Sequence, residues 1–90
     1  MCEQCVVIPN RLGLHARAAA QLVRTANLYA SEVRIERADG SATADAKSIL
    51  SVLMLAAGRG TMLRVKAHGD DAAQAVSHVC ELIAKGFGEE

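Results

Sequence analysis

Glu32-Val33-Arg34-Ile35-Glu36-Arg37-Ala38-Asp39-Gly40 is the stretch on which the fold turns. Val33 and Ile35 alternate with Glu32, Arg34 and Glu36, a period of two that predicts a strand covered on one face and wetted on the other. Asp39-Gly40 is a tight-hairpin pair, so Ser41 to Asp45 is expected to return as the antiparallel neighbour. A sheet with one polar face needs a second layer on its apolar face only.

Outward from this hairpin the pattern repeats. Thr61 to Ala67 alternates through Met62, Leu63, Val65 and Ala67 before the turn-prone His68-Gly69, and is expected to be a strand. Gln4 to Pro9 carries Val6, Val7 and Ile8 and reads as another, closed by Pro9-Asn10. Ala16 to Ala30 is rich in helix formers, with Ala19, Leu22, Val23 and Ala26 at helical spacing. Ser48 to Ala57 is expected to be a short helix ended by Gly58. Asp70 or Asp71 is expected to cap a last helix, whose apolar Ala72, Ala75, Val76, Val79, Leu82 and Ile83 run up to Gly86. The order βαββαβα predicts an α+β fold of two layers, a four-stranded antiparallel sheet with three helices on one face. Gly88-Glu89-Glu90 reads as a frayed end.

Composition narrows the function classes. Ninety residues, 51% of them hydrophobic, suffice for one core, so residues 1–90 are expected to form a single domain. Ten Lys and Arg balance ten Asp and Glu, and only one Tyr and one Phe are present. Neither a basic field nor stacking platforms argue for nucleic acid, and nothing has the length of a membrane span. No secretory leader is evident and three cysteines do not make a secreted framework, so a cytoplasmic location is expected.

The segment that carries chemistry is Asn10-Arg11-Leu12-Gly13-Leu14-His15-Ala16-Arg17. It sets a histidine between a turn and the first residue of a helix, where unpaired amides and a partial positive charge favour an anion. A phosphate on His15 would meet the backbone N–H groups of Ala16 and Arg17, with the Arg17 guanidinium within reach. Neutral imidazole is a competent nucleophile near pH 7. Position alone does not decide it, and favours the plainer reading of His15 as a helix cap or a satisfied surface residue. Ser48, at the start of its short helix, reads both as an N-cap and as a place where a phosphate would be stabilised by the helix dipole while disturbing apolar neighbours.

The segment from residue 10 to 17 resembles the active-site motif of the HPr family, the histidine phosphocarriers of the bacterial phosphotransferase system. Ala46-Lys47-Ser48-Ile49-Leu50 resembles the family's second motif, around a regulatory serine, and the order of elements agrees along the chain. The resemblance implies an open-faced β-sandwich in which enzyme I, charged by phosphoenolpyruvate, phosphorylates His15 on Nδ1. Arg17 would help hold the phosphate, and an enzyme IIA protein would receive it. It also implies that Ser48 is the target of HPr kinase/phosphorylase in some lineages, and that Ile49, Leu50 and Leu53 dock partners. No cofactor is implied, catalysis resides in the partners, and a monomer is expected. The chain departs from the family at Ala18, where proline usually follows the His-x-Arg triplet; alanine still suits a first turn. Leu53-Met54-Leu55, Gly58-Arg59-Gly60 and the ending Gly86-Phe87-Gly88-Glu89-Glu90 resemble nitrogen-branch members, whereas Ser48 beside Lys47 is equally familiar in the sugar branch. The competing expectation is a regulatory binding module that keeps the fold and docks without phosphorylation.

Other features read blandly. Cys2-Glu3-Gln4-Cys5 has metal or redox spacing but lacks the further ligands that structural zinc needs, so no metal is expected. Cys80, on the apolar stripe of the last helix, reads as core. His68 and His78 have no partner at metal-ligand spacing and read as surface residues, and Gly58-Arg59-Gly60 as a helix stop rather than a phosphate loop.

Overall fold

The computed structural model describes residues 1–89. Four strands, β1 (Cys2–Val7), β2 (Glu32–Arg37), β3 (Thr43–Asp45) and β4 (Met62–His68), form one antiparallel sheet in the order β1-β4-β2-β3. Three helices, α1 (Ala16–Ala26), α2 (Ile49–Met54) and α3 (Ala72–Ala84), cover one face, and a tight turn over Gly86–Gly88 follows. The open-faced α+β arrangement read from the alternation is the one observed. Inward Val33, Ile35, Leu63, Val65 and Ala67 are buried against Leu22, Val52, Val76, Val79 and Ile83 of the helices. Burying such aliphatic side chains stabilises by about 1.5–3 kcal/mol each, the dominant favourable contribution in a chain with almost no aromatic core. On the wet face Arg64 pairs with Glu36 at 2.6 Å and Lys66 joins it at 3.3 Å. Arg64 foremost, then Lys66, holds the Glu36 carboxyl below its ordinary range.

β2 has the boundaries expected from its alternation, and several other elements differ. β1 starts at Cys2 and stops at Val7 rather than running from Gln4 to Pro9, because it pairs in register with β4 from Cys2↔Ala67 to Val7↔Met62. Ile8, beyond the strand, still bonds Thr61 and Gly60 and is fully buried. α1 ends at Ala26, not Ala30, since Asn27 closes it and the amides of Ala30 and Ser31 turn away to the Asp71 carboxylate, each at 2.9 Å. Asp71 stands at the start of α3 as expected but makes no side-chain cap there. Its contacts with Ser31 and Ala30 lower its carboxyl from the ordinary value and tie the α1–β2 connection to α3.

α2 is six residues long and does not reach Ala57. Its stop is Ala56, not Gly58: Ala56 has φ 50, the left-handed conformation usually given to glycine after a helix. The Arg37 guanidinium braces the turn by donating to the Leu55 carbonyl at 2.9 Å. Since Ala56 is exposed, Ala56→Gly is expected to relieve strain and raise stability by up to about 1 kcal/mol, read as a higher urea midpoint at unchanged m. A lowered midpoint would show that the turn carries no strain.

Candidate functional site

The loop before α1 is built around Asn10, which is buried. Its carbonyl accepts from Gly13 N–H at 3.2 Å, and its side-chain Nδ2 donates to the Gly13 carbonyl at 2.9 Å. Gly13 takes φ +63 and lies so close to the α2–β4 connection that an added Cβ would stand 2.5 Å from the Ala57 carbonyl oxygen. Leu14 N–H then donates to that oxygen at 2.9 Å, and the Leu14 side chain enters the core. With the loop pinned on both sides, His15 arrives as the N-cap of α1 in extended conformation.

The ring of His15 is fixed at both nitrogens. Nδ1 accepts from Arg17 N–H at 3.3 Å, so it carries the lone pair, and the proton of the neutral ring lies on Nε2. Nε2 donates to Glu89 Oε2. The other oxygen, Oε1, accepts from Asn10 Nδ2 at 3.0 Å. Glu89 therefore belongs to the site, contrary to the frayed end expected from sequence; Glu90 lies outside the described residues. The chain is brought back by the turn after α3, where Gly86, Phe87 and Gly88 all have positive φ and Phe87 buries its ring. That ring, the single phenylalanine of a chain with an otherwise aliphatic core, was the available signal. The hydrogen bond to His15 foremost, then that to Asn10 and the charge of Arg17, hold the Glu89 carboxyl below its ordinary range despite partial desolvation.

His15 and Glu89 are partly exposed, 26% and 21% by side chain, in an open cleft lined also by Arg11, Leu12 and Arg17. The amides of Ala16 and Arg17 lie in the first turn of α1, whose first helical bond runs from Ala19 N–H to the His15 carbonyl at 2.8 Å. The accepting nitrogen of His15, the N-terminus of α1, Arg11 and Arg17 thus share one opening, an arrangement that can accept a group bearing negative charge. Ala18 is fully buried in that first turn, which forms without proline.

Ser48 caps α2, its Oγ accepting from Ser51 N–H at 3.3 Å. Behind it Ile49 and Leu50 are exposed, Leu50 by 69%, whereas Leu53 is half-buried against the core. Met54, 74% exposed, and Leu12 beside the cleft are large apolar surface groups that the sequence reading did not include. Nothing in their spacing marked them, since exposure of Met54 follows from where α2 ends.

The remaining candidates fall away from this cleft. Among the described residues no group of three or more His, Cys, Asp or Glu could hold a metal ion, and no helix is long and apolar enough to cross a membrane. Cys5 is exposed and Cys2 half-buried, while burial pushes the Cys80 thiol up to about 11, as befits a core residue. His68 is exposed at the end of β4. His78, half-buried on α3, has its Nδ1 2.7 Å from the Tyr29 hydroxyl, with the rings edge to face.

Comparison with known proteins agrees with this geometry. The family model described as "PTS HPr component phosphorylation site" matches residues 2–85. Phosphocarrier protein HPr of Pseudomonas aeruginosa is 45% identical over 84 residues, covering 93% of this chain and 92% of that protein. The one from Cupriavidus necator is 42% identical over 89 residues, covering 99% and 98%. Among solved structures, HPr of Thermoanaerobacter tengcongensis superposes with TM-score 0.92 at 37% identity, over 100% of this chain and 99% of that one. This chain belongs to the HPr family of phosphocarrier proteins of the phosphotransferase system, which are carriers rather than catalysts.

Proposed function

We propose that this protein takes a phosphoryl group from phospho-enzyme I, charged by phosphoenolpyruvate, onto Nδ1 of His15 and delivers it to an enzyme IIA protein in the cytoplasm. The observation that carries this reading is the lone pair on Nδ1 at the N-terminus of α1, beside Arg17. On phosphorylation the Arg17 N–H, which bonds Nδ1 in the free protein, is released to a phosphoryl oxygen. Together with the Ala16 amide and the Arg17 guanidinium it offsets the new negative charge. The ring needs no base to act, since Nδ1 is already unprotonated.

Exposed Ile49 and Leu50, with Leu53 at their base, form the docking patch for both partners, working as a monomer of one domain. Phosphate on Ser48, added by an HPr kinase/phosphorylase, would put charge at the edge of that patch and weaken docking. An acid-stable phosphate mapped to Ser48 after incubation with such a kinase is the expected result; a protein left unmodified would remove this part. Whether the route serves sugar uptake or nitrogen and carbon regulation is decided by which enzyme I charges the protein. The test is incubation with phosphoenolpyruvate and each enzyme I homologue, followed by intact mass before and after mild acid. One acid-labile phosphoryl group is expected, and no gain with any enzyme I would overturn the reading.

A further inference from the structure

Glu89 lies beyond the segment that the family model matches, which ends at residue 85, yet it makes the sole side-chain contact recorded for His15 Nε2 among the described residues. Three side chains stand in line: Asn10 Nδ2 holds Glu89 Oε1 at 3.0 Å, and Glu89 Oε2 takes the Nε2 proton of His15. Asn10 is in turn locked by its bond to the Gly13 carbonyl at 2.9 Å, so the carboxylate is mounted on the same loop that delivers the histidine.

We propose that Glu89 is a positioning residue for phosphoryl transfer, keeping the proton of His15 on Nε2 before the reaction and neutralising the imidazolium that exists after it; this rests on the reading of His15 as the acceptor. In the charging step the Nδ1 lone pair forms the N–P bond, and the bond from phosphorus to the donor breaks with its electron pair leaving on the donor. The ring, still protonated at Nε2, becomes a cation paired with the Glu89 carboxylate. In the onward step the acceptor's nucleophile attacks phosphorus, the N–P electron pair returns to Nδ1, and the ring is again neutral with its proton on Nε2. Neither step requires a proton to enter or leave the imidazole. Without the carboxylate the Nε2 proton of the phosphorylated ring is more easily lost to water, and the ring must then leave phosphorus as imidazolate, a poorer leaving group than neutral imidazole.

The groups facing the ring are Arg11 from the loop, Arg17 from α1 and Glu89 from the C-terminal segment. Among them Glu89 alone supplies a negative charge to the ring. Because the Glu89 carboxyl is held below its ordinary 4.5, the ionised form makes the contact; the contact is present above that value and is lost as pH falls through the lowered one. Within the neutral range it is constant.

Glu89→Gln removes the charge and keeps an oxygen that can accept from Nε2–H. The experiment follows the Nε2 resonance by ¹⁵N NMR across pH for wild type and Glu89→Gln, in the free and the enzyme I-phosphorylated forms, with thermal denaturation alongside. The variant is expected to be phosphorylated on His15 still. In its phosphorylated form the Nε2 midpoint should fall by about one pH unit, a tenfold change in proton affinity, and transfer back to enzyme I should decline at correspondingly lower pH. A midpoint and pH profile unchanged in the variant would overturn the proposal, even if its melting temperature drops, since a structural role alone moves only the latter. If wild type takes no phosphate on His15, the acceptor reading fails by itself, while the midpoints of the free ring still decide whether Glu89 acts on it.

Discussion

His15→Ala is expected to abolish acid-labile phosphorylation while leaving the protein folded. The cleft walled by Arg11, Leu12, Arg17 and Glu89 contains no second imidazole, and His68 and His78 sit respectively at the end of β4 and against Tyr29 on α3. Neither has a helix N-terminus to receive a phosphate. The structural cost is small because the ring is partly exposed and supports one cap bond to Arg17 N–H; loss of a cap of this kind costs about 1 kcal/mol. Intact mass after incubation with phosphoenolpyruvate and enzyme I, beside a thermal melt, separates the two effects. A variant that still unfolds cooperatively, about 4–8 °C below wild type, and takes no phosphate is the expected outcome, and one that still carries an acid-labile group would move the acceptor elsewhere.

Gly13→Ala should cause the largest loss of stability among single changes near the site. Its Cβ would lie 2.5 Å from the Ala57 carbonyl oxygen and 2.7 Å from Gly58 Cα, both backbone atoms that cannot swing aside as a side chain would. The position also has φ +63, which costs a non-glycine residue extra strain. Overpacking and strain together should remove about 2–4 kcal/mol, and the displaced loop should loosen the Leu14 bond to Ala57 and the setting of His15. Urea denaturation measures the first effect and the charging rate the second. A change within about 0.5 kcal/mol, the ordinary range for a surface substitution, would mean that the loop and the α2–β4 connection do not bear on one another as described.

The sheet was legible because its strands bury one face only: Val33 and Ile35 alternating with charged neighbours fixed β2 and, through Asp39-Gly40, its antiparallel partner. Helix ends were less legible. α1 stops at Ala26 because the amides beyond it are claimed by Asp71, forty-odd residues away, and no local pattern announces such a contact. Ala56 in place of a glycine hid the end of α2 for the opposite reason, as a residue unsuited to its backbone gives no signal. At the site, the position of His15 at a helix start was readable from the turn residues before it. Its partner on the other nitrogen was not, because Gly86-Phe87-Gly88 returns the chain through backbone angles that carry no periodicity.

The most direct measurement is the site of the N–P bond, by ³¹P and ¹⁵N NMR of the protein labelled on its histidines and charged with phosphoenolpyruvate and enzyme I. The hydrogen bond from Arg17 N–H to Nδ1, with Nε2 turned to Glu89, leaves one nitrogen with an available lone pair. Phosphorus coupled to Nδ1 of His15 is the expected result. Phosphorus on Nε2, on another histidine, or on no nitrogen would contradict the account.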